Sequence, residues 1–332
     1  MRAIIQEAYG SPDDLRLGDI DRPTPRDDEV LVRVRAASVH PDVWHVVTGR
    51  PYVLQIMGSG LRRPKNPVPG TDMAGVVEAA GAGVTRFRPG DEVFGETLRG
   101  TQWKNGGAYA EYVAVPEDHL APKPAGVGFE QAACVPTAGL IVLRNLPPGP
   151  LGNVLVNGAG GGVGGCALQI AKARGGTVTG VDHPAKLDLV KALGADHVID
   201  YTVEDFTRRG ERYDLIVDIP GNHSFAECRR ALTPDGTYVL IGHDHYGAAG
   251  RQVLGSLPRF AGLMARSAFQ RQLPRPTRAT PPVKDSMALL GDLLAQGRLS
   301  PVVDRAFPLA EAGAALRYLT GGTARGRIVL TL

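Results

Sequence analysis

The chain has 332 residues, 43% of them hydrophobic and 21% charged, which is ordinary for a globular enzyme and too long for one small domain, so two domains are expected. The net charge of +3 is too mild to imply a nucleic-acid partner, and no apolar stretch approaches the length of a membrane span. Three cysteines (Cys134, Cys166 and Cys228) lie too far apart for a disulfide framework or a structural zinc site, so a reducing, cytoplasmic setting is expected.

From the N-terminus, MRAIIQEAYG reaches acidic and turn residues too soon to read as a signal peptide. LRLGDI, EVLVRVRAASV, MAGVVEAAG, DEVFGE and AYAEYVAV follow as short alternating or β-branched runs between Pro, Gly and Asp turns, predicting a β-rich unit over the first 120 residues. Thr48 to Thr71 reads as an irregular loop. After Pro124 the pattern changes. NVLVNG, TVTGVD, HVIDY, YDLIVDIP and GTYVLIG predict strands, while GGVGGCALQIAKARG, AKLDLVKALG and SFAECRRALT predict helices. Apolar strands alternating with helices predict a parallel sheet covered on both faces, an α/β unit. Between Tyr246 and Lys284 lie seven cations and no acid, so charge is unevenly spread. This proline- and arginine-containing segment reads as a solvated loop-helix, with a lid, a dimer contact and a membrane-surface helix as alternatives. The tail then gives helix DSMALLGDLLAQGRL, strand PVVDRAF, helix PLAEAGAALRYLTGG and strand GRIVLTL. A β-ending tail of this kind predicts that the α/β unit is inserted into the N-terminal one.

The sharpest motif is VLVNGAGGGVGGCALQIAKA. Ala159-x-Gly161-x-x-Gly164, with Gly162 and Val163 between, follows a strand and opens a helix. Such a turn lets the backbone approach a diphosphate, whose charge sits on free N–H groups at the helix start. Asp182 closes the next strand, where a carboxylate accepts hydrogen bonds from the adenosine ribose and disfavours a 2′-phosphate. Lys186, four residues on, argues the opposite way. Both also have a plain alternative as solvated loop charges.

GAGGGVG followed by KLDLVKALGADHVIDY resembles the medium-chain dehydrogenase/reductase superfamily, and within it the zinc-lacking quinone oxidoreductase-like branch. AASVHPDVWHVVTGRPY, PVPGTDMAGVVEAAGAGVTRFRPGDEVFG, GGAYAEYVAVPEDHLAPKP and GRIVLTL extend the resemblance over nearly the whole chain. It implies a Rossmann doubly wound parallel sheet (125–274) inserted in a GroES-like β-barrel catalytic domain (1–124 and 275–332). It also implies a cleft between them, a homodimer, and hydride transfer from NAD(P)H to a quinone or α,β-unsaturated carbonyl. The positions matching the catalytic zinc ligands of related alcohol dehydrogenases are His40, Thr71 and Thr137, a poor donor set for zinc. Lys186 and Tyr201 match positions that contact the 2′-phosphate in NADPH-using members, giving a slight lean to NADPH.

The branch carries Asn-Pro-x-Asp where this chain runs His40-Pro41-Asp42-Val43, so His40 replaces a cleft-lining Asn, and Ile141 replaces a Thr beside the nicotinamide. His40 is the candidate proton donor, because an imidazole titrates near neutral pH; a buried structural histidine is the alternative. Tyr52, in the loop that edges the cleft in the branch, is the second candidate, against a packing role. Trp44 and His45 read as structural. The turn after Gly242 runs beside the nicotinamide in the branch, placing Gly242 and His243 at the cofactor, with His245 close behind in the same turn; a solvent-exposed turn is the alternative. Asn222 ends another strand on the same side of the sheet. Cys166 opens the first Rossmann helix and reads as packing, a lowered thiol pKa being the rival. A small-molecule reductase is the leading expectation. A non-redox tailoring enzyme and a nicotinamide-sensing binding protein are the alternatives.

Overall fold

The computed structural model describes residues 1–100, 104–242, 252–275 and 280–332. The chain opens with β1 (Arg2–Ile5) and β2 (Arg16–Asp19), which pair with each other, then β3 (Glu29–Val39) and α1 (Pro41–Thr48). Next come β4 (Asp72–Ala80), β5 (Glu92–Glu96), β6 (Tyr112–Pro116) and β7 (Leu120–Pro122), then α2 (Phe129–Ala133) and α3 (Pro136–Asn145). The α/β stretch runs β8 (Asn153–Asn157), α4 (Gly162–Ala173), β9 (Thr177–Asp182), α5 (Leu187–Ala192), β10 (His197–Asp200), β11 (Tyr213–Asp218), α6 (Phe225–Arg230) and β12 (Leu232–Leu240). It is followed by α7 (Leu257–Ser267), α8 (Val283–Ala295), β13 (Val303–Pro308), α9 (Ala312–Thr320) and β14 (Arg327–Thr331).

Two sheets organise the molecule. The parallel sheet has the order β10-β9-β8-β11-β12, so strand order reverses between β8 and β11, and ligands of doubly wound sheets bind at that switch. The other sheet runs β13-β14-β3-β4-β5-β7, with β6 pairing β3. β14 lies antiparallel to β3 through Ile328 and Val39, which returns the C-terminus to the first sheet and leaves the Rossmann sheet as the inserted unit. Val154, Val156, Leu168, Ile170, Val178, Leu215 and Val217 fill the space between the parallel sheet and the helices on one of its faces.

Three helices absent from the sequence pattern are present. α3 is buried at eight of its ten positions, so it has no polar stripe to give it a helical period. α2 is a single short turn-and-a-half, and α1 begins on Pro41 and stops at Gly49, whose φ of 63° suits glycine. The helix expected over 224–233 ends at Arg230, because Leu232 already pairs with Tyr213 as sheet. β1 and β7 were also too short to be read. Within the described part of the basic segment, α7 is helical and turns Phe260 and Leu263 onto the core.

Candidate cofactor and substrate cleft

Three contiguous cavities follow the switch point. The first, about 450 Å³, is lined by Asn157, Gly158, Gly161, Asp182, Lys186, Tyr201, Asn222 and neighbours. The second, about 110 Å³, shares Gly161, Lys186, Ile219 and Gly322 with it and adds Gly162, Val163, His40, Thr137, Ile141 and Arg327. The third, about 230 Å³, shares Asp42 and Ile141 with the second and continues past His45, Arg144, Leu240, Gly242, Leu257 and Phe260.

The glycine turn sits where the first two meet. A Cβ on Gly164 would lie 2.0 Å from the carbonyl oxygen of Gly158, so only glycine lets α4 pack this closely on the turn. Gly161 is the N-cap of α4 and provides no side chain to its first amides, which leaves them for an anion. Arg327, the first residue of β14, reaches the same place: a Cβ on Gly162 would fall 2.0 Å from its Nη1. Its Nε and Nη2 are buried without a hydrogen-bond partner, and Nη2 lies 3.9 Å from Asp72. A buried, unsatisfied guanidinium is costly unless an anion completes it. The turn, the open amides and Arg327 therefore fit the diphosphate of a dinucleotide. Arg327 escaped the sequence reading because GRIVLTL showed only a strand; a cation opening an otherwise apolar strand was the available signal.

Asp182 lines the first cavity, but its oxygens already accept backbone N–H groups, Oδ2 from Gly160 at 2.7 Å and Oδ1 from His183 at 2.8 Å. Lys186 is half-buried and makes no ion pair among the described residues. Tyr201 is exposed and meets the ring of His183 edge-on at 6.0 Å. Asn222 accepts from Asn157 Nδ2 at 3.0 Å, and the same amide donates to Asp218 at 2.9 Å. Ala159 points into the core and offers only backbone to the turn. Gly242 lines the third cavity, whereas His243 and His245 lie outside the described residues. Tyr52 is exposed and its backbone pairs with Gln252; its neighbours Pro51, Val53 and Leu54, not Tyr52 itself, are among the residues lining the third cavity.

His40 is buried at the N-cap of α1, its Nε2 2.7 Å from Thr71 Oγ1. Its Nδ1 lies 3.8 Å from Asp42, and Nε2 lies 4.0 Å from Asp72. Thr71 and Thr137 are 3.5 Å apart, and Thr137 donates to Asp72 at 2.5 Å, with Glu96 3.4 Å away. Burial pushes the carboxyls of Asp42 and Asp72 up to about 6, and burial together with the Asp72 charge pushes Glu96 to about 7. Sequence alone gave no hint of this acid cluster, since its members come from α1, β4 and β5. One imidazole and two hydroxyls at the former zinc positions do not fit a zinc ion, which binds thiolate, imidazole or carboxylate. The His45 ring meets the Arg50 carbonyl at 2.7 Å, and Trp44 is half-buried against the core. Burial raises the Cys166 thiol to about 12, which is packing and not a reactive thiolate. Arg259 of α7 donates to the Gly221 and His223 carbonyls, holding α7 as a wall of the third cavity.

Residues 26–125 match a family described as alcohol dehydrogenase GroES-like domain, and residues 193–330 match one described as zinc-binding dehydrogenase. The NADPH-dependent alkenal/one oxidoreductase of Arabidopsis thaliana chloroplasts is 31% identical, over 99% of this chain and 79% of that protein. The chloroplastic quinone-oxidoreductase homolog of Spinacia oleracea is 28% identical over 99% of this chain and 98% of its own. The solved quinone oxidoreductase from Coxiella burnetii superposes with a TM-score of 0.81 at 26% identity, covering 100% of this chain and 99% of that one.

Proposed function

Because the chain belongs to the medium-chain dehydrogenase/reductase superfamily, alongside its quinone oxidoreductases and alkenal reductases, we propose that it is an NAD(P)H-dependent oxidoreductase reducing a quinone or an α,β-unsaturated carbonyl. The observation that carries this reading is the buried guanidinium of Arg327, its Nε and Nη2 without a hydrogen-bond partner, against the uncapped glycine turn, in a cleft that runs on to an apolar cavity. When bound there, the reduced nicotinamide supplies a hydride.

The backbone of Gly161, Gly162, Val163 and Gly164, beside Ala159, holds the diphosphate together with Arg327. Asn222 and Gly242 flank the rest of the cofactor. Lys186 and Tyr201 take a 2′-phosphate, since Asp182 is engaged by the turn; this supports a lean to NADPH. His40 gives the proton, to the α-carbon of an enone or the oxygen of a quinone; Tyr52, exposed and outside the cavity lining, is the less favoured donor. Thr71, Thr137, Asp72 and Glu96 form a buried hydrogen-bonded route that resupplies His40. The enone gains a hydride at its β-carbon and a proton at its α-carbon, and leaves as the saturated carbonyl. The donor set at His40, Thr71 and Thr137 supports catalysis without zinc.

Residues 1–124 and 275–332 are assigned to the catalytic domain and 125–274 to the cofactor domain, a division supported by the pairing of β14 with β3. Among the described residues no helix is long and apolar enough to cross a membrane. Three buried free thiols support a reducing compartment, taken as the cytoplasm, and a homodimer is the assembly the resemblance supports. The test of function is absorbance at 340 nm with NADPH or NADH and a panel of quinones and enones. Saturable oxidation is expected; tight cofactor binding without turnover across the panel would hand the protein to the non-redox or sensing alternatives.

A further inference from the structure

We infer that the third cavity takes an acceptor bearing a carboxylate, and that Arg144 receives it. The inference rests on the reductase reading and names its substrate class. Most of the cavity wall is apolar, built from Val53, Leu54, Ile141, Leu240, Leu257 and Phe260. Its other polar side chains are Asp42, His45, Asn145 and Ser256. Asn145 donates to the Ile141 carbonyl at 2.8 Å, the His45 ring meets the Arg50 carbonyl, and Asp42 stands at the seam with the second cavity.

Arg144, in the last turn of α3, is half-buried and makes no hydrogen bond or ion pair among the described residues. Its charge is felt by Glu96 and His119, but neither carboxylate nor ring is within ion-pair distance. A half-buried arginine that lines an apolar cavity without a partner is poorly solvated, and a carboxylate satisfies its planar fork through two parallel hydrogen bonds. Ile141 lies one helical turn before Arg144 on the same face of α3 and is shared by the second and third cavities, where on the reductase reading the reducible bond would meet the cofactor. The carboxylate and the reduced carbons are therefore close together, which selects a compact acceptor over a long acyl chain.

The loop that supplies Pro51, Val53 and Leu54 to the wall is basic: Val43 to Thr71 holds four cations (Arg50, Arg62, Arg63 and Lys65) and no acid. It pairs with the segment before α7, Tyr52 N donating to Gln252 O at 2.7 Å and Val53 N to Val253 O at 3.0 Å. Cations beside a cleft concentrate the opposite sign of charge, in a manner weakened by salt.

The experiment compares β-acetylacrylate with its methyl ester, with NADPH saturating. The ester is the better electrophile, so preference for the acid comes from the protein. The expected result is a higher kcat/KM for the acid, declining with ionic strength while that for the ester does not. Arg144→Gln and Arg144→Met should shrink the acid-to-ester ratio by about 10- to 100-fold, as expected for a lost charged hydrogen-bond pair, and Arg144→Lys should restore part of it. Turnover of neither compound, nor of any quinone, would overturn the reductase reading itself. Turnover of both without preference for the acid overturns this inference alone. An unchanged ratio in folded Arg144→Gln also overturns it, and assigns Arg144 to balancing Glu96.

Discussion

Asp182 accepts the backbone N–H of Gly160 at 2.7 Å, which ties the end of β9 to the glycine turn and takes up the carboxylate that would otherwise greet a ribose. Lys186 lines the same cavity and makes no ion pair among the described residues, which on the proposed reading leaves it for a 2′-phosphate. Lys186→Glu is therefore expected to lower kcat/KM for NADPH by about 10- to 100-fold, the scale of a charged hydrogen bond reversed into repulsion, with a much smaller effect on NADH. Steady-state assays with both cofactors check this, and an equal loss for the two would show that Lys186 does not read the 2′-phosphate.

A Cβ on Gly161 would meet only the Gly158 carbonyl oxygen, at 3.4 Å, and its backbone is extended, so a side chain is accommodated. Aspartate is also a good N-cap. Gly161→Asp should keep the Tm at or above that of the parent while weakening NADPH binding by at least about tenfold through repulsion at the diphosphate. Thermal unfolding and a fluorescence titration measure the two separately; unaltered affinity would place the diphosphate elsewhere.

His40 holds Thr71 through Nε2 inside a buried site. His40→Gln preserves a hydrogen-bonding group there but cannot deliver a proton as an imidazolium does. A fall in kcat of about 100-fold or more is expected, the usual scale of general-acid catalysis, with the NADPH dissociation constant nearly unchanged. Unchanged kcat would make His40 a structural residue.

Glu96 is held toward its protonated form, at about 7, by burial and by the neighbouring Asp72 charge, with Asp42 adding to this and Arg144 opposing it. The folded state thus binds this proton more tightly than the unfolded chain. Its contribution is full below the unfolded carboxyl range, at about pH 4, and is lost as pH rises through about 7. Glu96→Gln mimics the protonated form, so it should match the parent near pH 4 and exceed its stability by up to ~3 kcal/mol near pH 8. Denaturant unfolding at the two pH values tests this. A difference that is flat with pH would mean that Glu96 is ionised in the fold.

Overnight dialysis against a chelator is expected to leave the reductase rate unchanged, because His40, Thr71 and Thr137 place one imidazole and two hydroxyls where zinc needs stronger donors. Loss of rate, recovered with zinc, would contradict that reading.

The α/β alternation and the glycine turn were legible in the sequence because each is written locally. Apolar runs mark strands buried on both faces, and a strand–glycine–helix succession is contained within some twenty residues. α3 was not legible, since a helix buried on nearly every side carries no period to detect. Nor were the partners of the cleft. Arg327 comes to the turn from β14, Asp42 from α1, Asp72 and Glu96 from neighbouring strands, and Arg144 from a helix that follows the first unit. The sequence alone marked out the strand–glycine–helix turn, for backbone geometry depends on residues next to one another. Which charges are buried and which lack a hydrogen-bond partner depend on burial and on contacts between residues up to hundreds of positions apart, and only the tertiary structure decided those.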